Sequence, residues 1–170
     1  QNREKEQQNY SNYNDYLKSL DMIAEIAEAK EVYLERIYQL INKTNQFNLT
    51  TKRYTKSEVD EVCKDPNQIL LYGKLKDKFG DNGLISIIIA KQKGKILEIS
   101  LWLMSCRVLK RDMEIAMLNE LVNLAKERGI EKILGTYIPS KKNSMVKDHY
   151  KNLGFKFEKE ENDAFTWVLE

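Results

Sequence analysis

No stretch of this sequence stays apolar for the ~20 residues that a membrane span needs, and nothing near Gln1 has the pattern of a signal peptide. Neither sign of charge is in excess. The 28 basic residues nearly cancel the 26 acidic ones, so no global field points to nucleic acid or to an anionic membrane. Cysteine is scarce: Cys63 and Cys106 lie far apart in different contexts, which offers no disulfide framework and suits a reducing compartment. A cytoplasmic location is expected, and no metal site is predicted. Histidine is scarcer still, since His149 stands alone, and any general base of that type has to be this residue.

What is present suits one α/β domain. A chain of 170 residues holds one core plus an extension. Gln1 to Tyr13 is too polar to form a core, so residues 1–20 are expected to be a linker and 21–170 the domain. The first residue is Gln rather than Met, which predicts a piece of a longer protein. Met22 to Glu28 fits a helix or a strand. Glu31 to Asn42 carries a broad apolar stripe (Val32, Leu34, Ile37, Tyr38, Leu40, Ile41) and predicts an amphipathic helix. Thr55-x-x-Glu58 is a capping pattern opening a second helix, with Val59, Val62 and Cys63 on one face and Cys63 as core filling.

From Gln68 the pattern turns to strands: Ile69 to Leu75, the Ile-rich run Leu84 to Ala90, and Ile96 to Met104, the run of Ile implying burial on both faces. DKFGDNG (Asp77 to Gly83) and the segment around Gly94 supply the turns, and Asp77 and Asp81 flank the first. A helix over Asp112 to Arg128 ends at Gly129, well suited to a left-handed cap. A strand over Ile133 to Ile138, a helix over Lys142 to Leu153 stopped by Gly154, and strands at Phe155 to Phe157 and Phe165 to Leu169 complete the expected order.

Leu101 to Glu114, LWLMSCRVLKRDME, is where chemistry is expected, because an apolar strand breaks off at Ser105-Cys106-Arg107 and a helix follows. Such a junction aims unpaired backbone N–H groups at one point, which favours an anion. Cys106 stands at its mouth. The thiol reads either as a nucleophile, with a pKa lowered by Arg107 and the helix end, or as a small residue buried at a strand end. The amide- and hydroxyl-rich segment Asn42 to Tyr54, NKTNQFNLTTKRY, reads either as a set of side-chain turns or as a loop lining a polar substrate.

This order of elements resembles the GNAT acyltransferase fold, a mixed central sheet flanked by helices, and Tyr150-x-x-Leu153-Gly154-Phe155 is similar to the segment that closes many such domains. NKTNQFNLTTKRY, DKFGDNG, WLMSCRVL and YIPSKKN together resemble the C-terminal half of the FkbH-like proteins. That resemblance implies an upstream HAD-like phosphatase half and transfer of a glyceryl unit, derived from 1,3-bisphosphoglycerate, to the phosphopantetheine thiol of an acyl carrier protein in polyketide-type pathways. It implies Cys106 as the acyl-bearing thiolate. His149 is the candidate base, with a surface residue as its alternative, and Tyr150 matches the tyrosine that GNAT enzymes use as general acid, with simple ring packing as its alternative. Asn143 matches an Asn that contacts a pantetheine arm, with a helix cap as its alternative.

The GNAT cofactor loop, Gln/Arg-x-x-Gly-x-Gly/Ala, corresponds to Arg107, Val108, Leu109, Lys110, Arg111 and Asp112, and both glycines are replaced. Side chains at Lys110 and Asp112 stand where bare backbone would close on a pyrophosphate, which disfavours coenzyme A and leaves the single phosphate of a carrier-borne arm. Lys110, Arg111, Lys141 and Lys142 are expected to meet the acidic face of a carrier. A docking module without turnover is the alternative function. An ordinary CoA-dependent N-acetyltransferase is disfavoured by the same loop.

Overall fold

The computed structural model describes residues 23–78, 80–106 and 112–170. The three Ile- and Leu-rich runs form an antiparallel meander of β2 (Gln68–Asp77), β3 (Gly80–Lys93) and β4 (Ile96–Met104). The ambiguous segment is a strand, β1 (Ile23–Glu28), pairing antiparallel with β2 at one edge. Beyond the meander, β5 (Lys132–Tyr137) runs parallel to β4, β7 (Ala164–Leu169) antiparallel to β5, and β6 (Lys156–Glu161) antiparallel to β7. Among the described residues the sheet therefore has seven strands in the order β1-β2-β3-β4-β5-β7-β6.

Burial on both faces explains the Ile run in β3. Ile85, Ile88 and Ala90 point into one core, while Leu84, Ile87 and Ile89 point into the other. Two helices cover the second core: α1 (Leu34–Lys43), entered through a 3₁₀ turn at Glu31–Tyr33, and α2 (Lys56–Lys64). They bury Ile37, Leu40, Ile41, Val59 and Val62 there, with half-buried Cys63 beside them, its thiol pushed up by burial. The capping pattern is realised: Glu58 N donates to Thr55 Oγ1 at 3.1 Å and Thr55 N donates to Glu58 Oε1 at 2.9 Å. The first core is closed by α3 (Met113–Glu127) through Met113, Met117, Leu118, Leu121 and Ala125, and Gly129 follows at φ 70° as the left-handed cap.

Two expectations are corrected. The turn expected over Asp77 to Gly83 is shorter, because β2 and β3 stay paired as far as Asp77 with Gly80, and Asp77 is buried. The helix expected over Lys142 to Leu153 is broken into a 3₁₀ turn at Ser144–Val146 and a single turn of helix, α4 (His149–Asn152). Asn143 is the reason. Its side chain caps neither piece and is spent on long-range bonds that pin the segment to the end of β5.

Candidate functional site

β4 and β5 share register only from Ile96 with Lys132 to Ile99 with Gly135, after which they part, leaving a fissure at their carboxyl ends. In open α/β sheets such a crevice is the usual place for a ligand. Here it holds the chain itself. Leu49 N donates to Trp102 O (3.0 Å), Met104 N to Phe47 O (2.9 Å), and Ile138 N to Leu49 O (2.8 Å). Thr50 Oγ1 donates to Ser100 O at 3.0 Å, and Asn48 forms a bridge with Leu103. Phe47, Asn48, Leu49 and Thr50 are all buried.

The amide-rich segment thus performs the turns its composition suggested. Asn48 Oδ1 accepts from Thr50 N (3.3 Å) and Thr51 N (2.9 Å), and Thr51 leaves the fissure with a left-handed backbone at φ 51°. Arg53 ties its start to α1 through Ile41 O (2.8 Å) and Asn45 Oδ1. Asn143 locks it from the other side: Nδ2 donates to Asn48 O (2.9 Å) and Ile138 O (3.0 Å), while Oδ1 accepts from Ser140 N (2.7 Å). With these bonds made and the side chain fully buried, Asn143 has no face for a pantetheine arm, nor does it cap a helix.

Cys106 lies just past β4 and is exposed. Its thiol donates to Gln46 Oε1 at 3.3 Å, and it opens on a polar cleft of about 470 Å³ lined by Lys43, Thr44, Asn45, Gln46, Ser105 and Lys142. Burial at a strand end is thereby corrected, because the β4 ladder stops at Met104 and the chain turns outward. The expected partners Arg107, Val108, Leu109, Lys110 and Arg111 lie outside the described residues. Asp112 is exposed and precedes α3 in a left-handed conformation, φ 56°, without a side-chain cap. Lys141 and Lys142 are exposed, and Lys142 reaches the cleft.

His149 and Tyr150 are not in that cleft. The imidazole is wedged edge-on against Trp102 (centroids 4.4 Å apart) and Phe47 (5.2 Å), and burial pushes its pKa down to about 3. It borders a separate hollow of about 230 Å³ with Phe47, Ile115, Met145 and Val146. The Tyr150 ring lies on β5: a Cβ at Gly135 would sit 2.4 Å from its Cε1, so only glycine leaves room. Its hydroxyl is buried, which raises its pKa, and it has no hydrogen-bond partner among the described residues. Trp102 Nε1 and His149 Nε2 share that condition. Cys106, Asn143 and Tyr150 therefore do not frame one site: the thiol opens on a polar cleft, and Tyr150 lies in an aromatic nest with Trp102 and His149. Sequence reasoning did not single out Gln46 or Lys43 individually; the run of amides was the available signal.

Among the described residues no group of His, Cys, Asp or Glu is placed to hold a metal ion, and no helix is long and apolar enough to cross a membrane.

No protein-family model matches this sequence, and no curated protein matches it. Solved structures do. The GNAT domain of S. lividans PAT has 15% identity and a TM-score of 0.68, covering 86% of this chain and 89% of its own. The ribosomal-protein-S18-alanine N-acetyltransferase from Escherichia coli has 13% identity and a TM-score of 0.64, covering 86% of this chain and 93% of its own. The PaiA N-acetyltransferase from Thermoplasma acidophilum, solved in complex with coenzyme A, has 17% identity and a TM-score of 0.64, covering 87% of this chain and 99% of its own. Identities this low define the fold and nothing finer. This chain has the GNAT acetyltransferase fold.

Proposed function

We propose that this is an acyltransferase domain that carries a small acyl group, glyceryl in the FkbH-like reading, on Cys106 and passes it to the phosphopantetheine thiol of an acyl carrier protein. The resemblance also proposes residues 21–170 as the transferase domain and 1–20 as the connector from an upstream HAD-like phosphatase half. One observation carries the reading: the thiol of Cys106 is exposed in a polar cleft with Lys43 and Lys142 on its walls.

The chemistry is two exchanges at one carbonyl. The Cys106 thiolate, its proton gone to solvent, attacks the acyl carbon of an activated donor, and the donor's leaving group departs with the bonding pair. The arm's thiolate then attacks the resulting thioester and returns Cys106 as thiolate. Gln46, whose Oε1 accepts from the thiol, orients the sulfur before its proton leaves. The ammonium groups of Lys43 and Lys142 suit the phosphate of the arm. His149 and Tyr150 take no part, because neither reaches the cleft.

The test is transfer to a purified carrier protein, followed as a mass shift of its arm. The expected result is an acylated carrier with the native protein and none with Cys106→Ala. Equal transfer by Cys106→Ala would remove the thiol from the mechanism. A second reading, a docking module without turnover, draws on the closed fissure between β4 and β5; it predicts carrier binding with no acylation.

A further inference from the structure

The fissure where β4 leaves β5 is the natural seat for an extended ligand, yet four of its backbone groups are bonded within the chain. Ser100 O is taken by Thr50 Oγ1, Trp102 O by Leu49 N, Met104 N by Phe47 O, and Ile138 N by Leu49 O. An arm built of amides, such as that of coenzyme A or a carrier-borne pantetheine, would bind this edge by the same bonds. We infer that residues 47–50 are a built-in segment, bridged to β4 at Asn48, that occupies the place of such an arm and excludes it from the fissure. Coenzyme A thioesters therefore find no seat between β4 and β5.

The segment is fixed by several independent ties. Asn48 and Leu49 are fully buried, and the Asn48 side chain donates to Thr44 O (3.1 Å) while accepting the Thr50 and Thr51 amides. Asn143, itself buried, grips Asn48 O and Ile138 O at once, so it spans the segment and the end of β5. Phe47 packs against His149. Withdrawing the segment would expose Phe47 and Leu49 and leave the backbone groups of Trp102, Met104 and Ile138 without partners, which buried chains avoid.

Neighbouring residues of the same run do different work. Phe47 faces the nest, whereas Gln46 faces the thiol. With the fissure closed, an arm approaches Cys106 from the polar side, past Lys43 and Lys142; this last step rests on the function proposed above.

Amide hydrogen exchange followed by NMR, with acetyl-CoA as the probe, tests the exclusion. The amides of Leu49, Met104 and Ile138 are expected to exchange as slowly as those of the β3–β4 ladder, and neither their rates nor their shifts should change at millimolar acetyl-CoA. Exchange about a hundredfold faster than the ladder, or slowing on addition of acetyl-CoA, would overturn the inference. Asn143→Ala, checked for intact fold by the unchanged ladder amides, is expected to speed exchange at Leu49 at least about tenfold; an unchanged rate would overturn Asn143 as the clamp. No readout here involves Cys106, so the exclusion stands or falls separately from the thioester.

Discussion

Two environments meet at the end of β4, a few residues apart. Around Cys106 the walls are lysine, amide and hydroxyl, and the thiol is open to solvent. Around Trp102, His149 and Tyr150 the walls are rings, and three polar atoms are buried without partners. The built-in segment passes both, giving Gln46 to the first and Phe47 to the second. Closeness in sequence to a strand end therefore does not make one site. Residues that a motif reading groups as nucleophile, base and acid are divided by which way each side chain points: Cys106 is exposed, whereas His149 and Tyr150 are buried.

The widest gap between the two regions lies in their response to acid. Folded His149 resists protonation until about pH 3, whereas its ordinary pKa is 6.5, so the unfolded chain binds a proton that the folded one refuses. The contribution of His149 to stability is complete above pH 6.5 and is lost as pH falls toward 3, by about 1.4 kcal/mol for each pH unit. Urea unfolding between pH 7 and 4 measures this, and His149→Phe should flatten the slope. A native slope no steeper than that of the variant would place the imidazole in water.

Next comes the floor of the nest. Gly135→Ala drives a methyl into the Tyr150 ring and is expected to cost about 3 kcal/mol, read from a lowered unfolding midpoint. Double substitution with Tyr150→Ala should recover part of that loss. The smallest effect is also the sharpest: Tyr150→Phe removes a buried hydroxyl that lacks a partner, so stability should rise by about 1 kcal/mol while carrier acylation is unchanged. A general acid at this position would instead cost turnover. Thermal melts and the carrier assay on the same sample separate the outcomes.

Much of the fold was legible because the signals were local. The Ile run of β3 and the capping pattern of α2 both match. β1 was ambiguous because it is an edge strand, mostly exposed on both faces, whose identity is set by pairing with β2 rather than by periodicity. The helix over Lys142 to Leu153 failed for the opposite reason: its apolar spacing was sound, but Asn143 is committed to Asn48, far away in sequence. The site was half legible. A thiol following an apolar strand was a local signal, and so was the amide-rich run. That the run enters the fissure, and that His149 turns into Trp102, depends on tertiary packing that no spacing encodes.

Peptide mapping by mass spectrometry, after the protein meets an activated acyl donor and is quenched in acid before any carrier is added, addresses the central claim most directly. An acyl group on the Cys106 peptide, absent from the Cys63 peptide and discharged when a carrier protein is supplied, is the predicted result. A carrier that becomes acylated while Cys106 stays unmodified at every time point would contradict it.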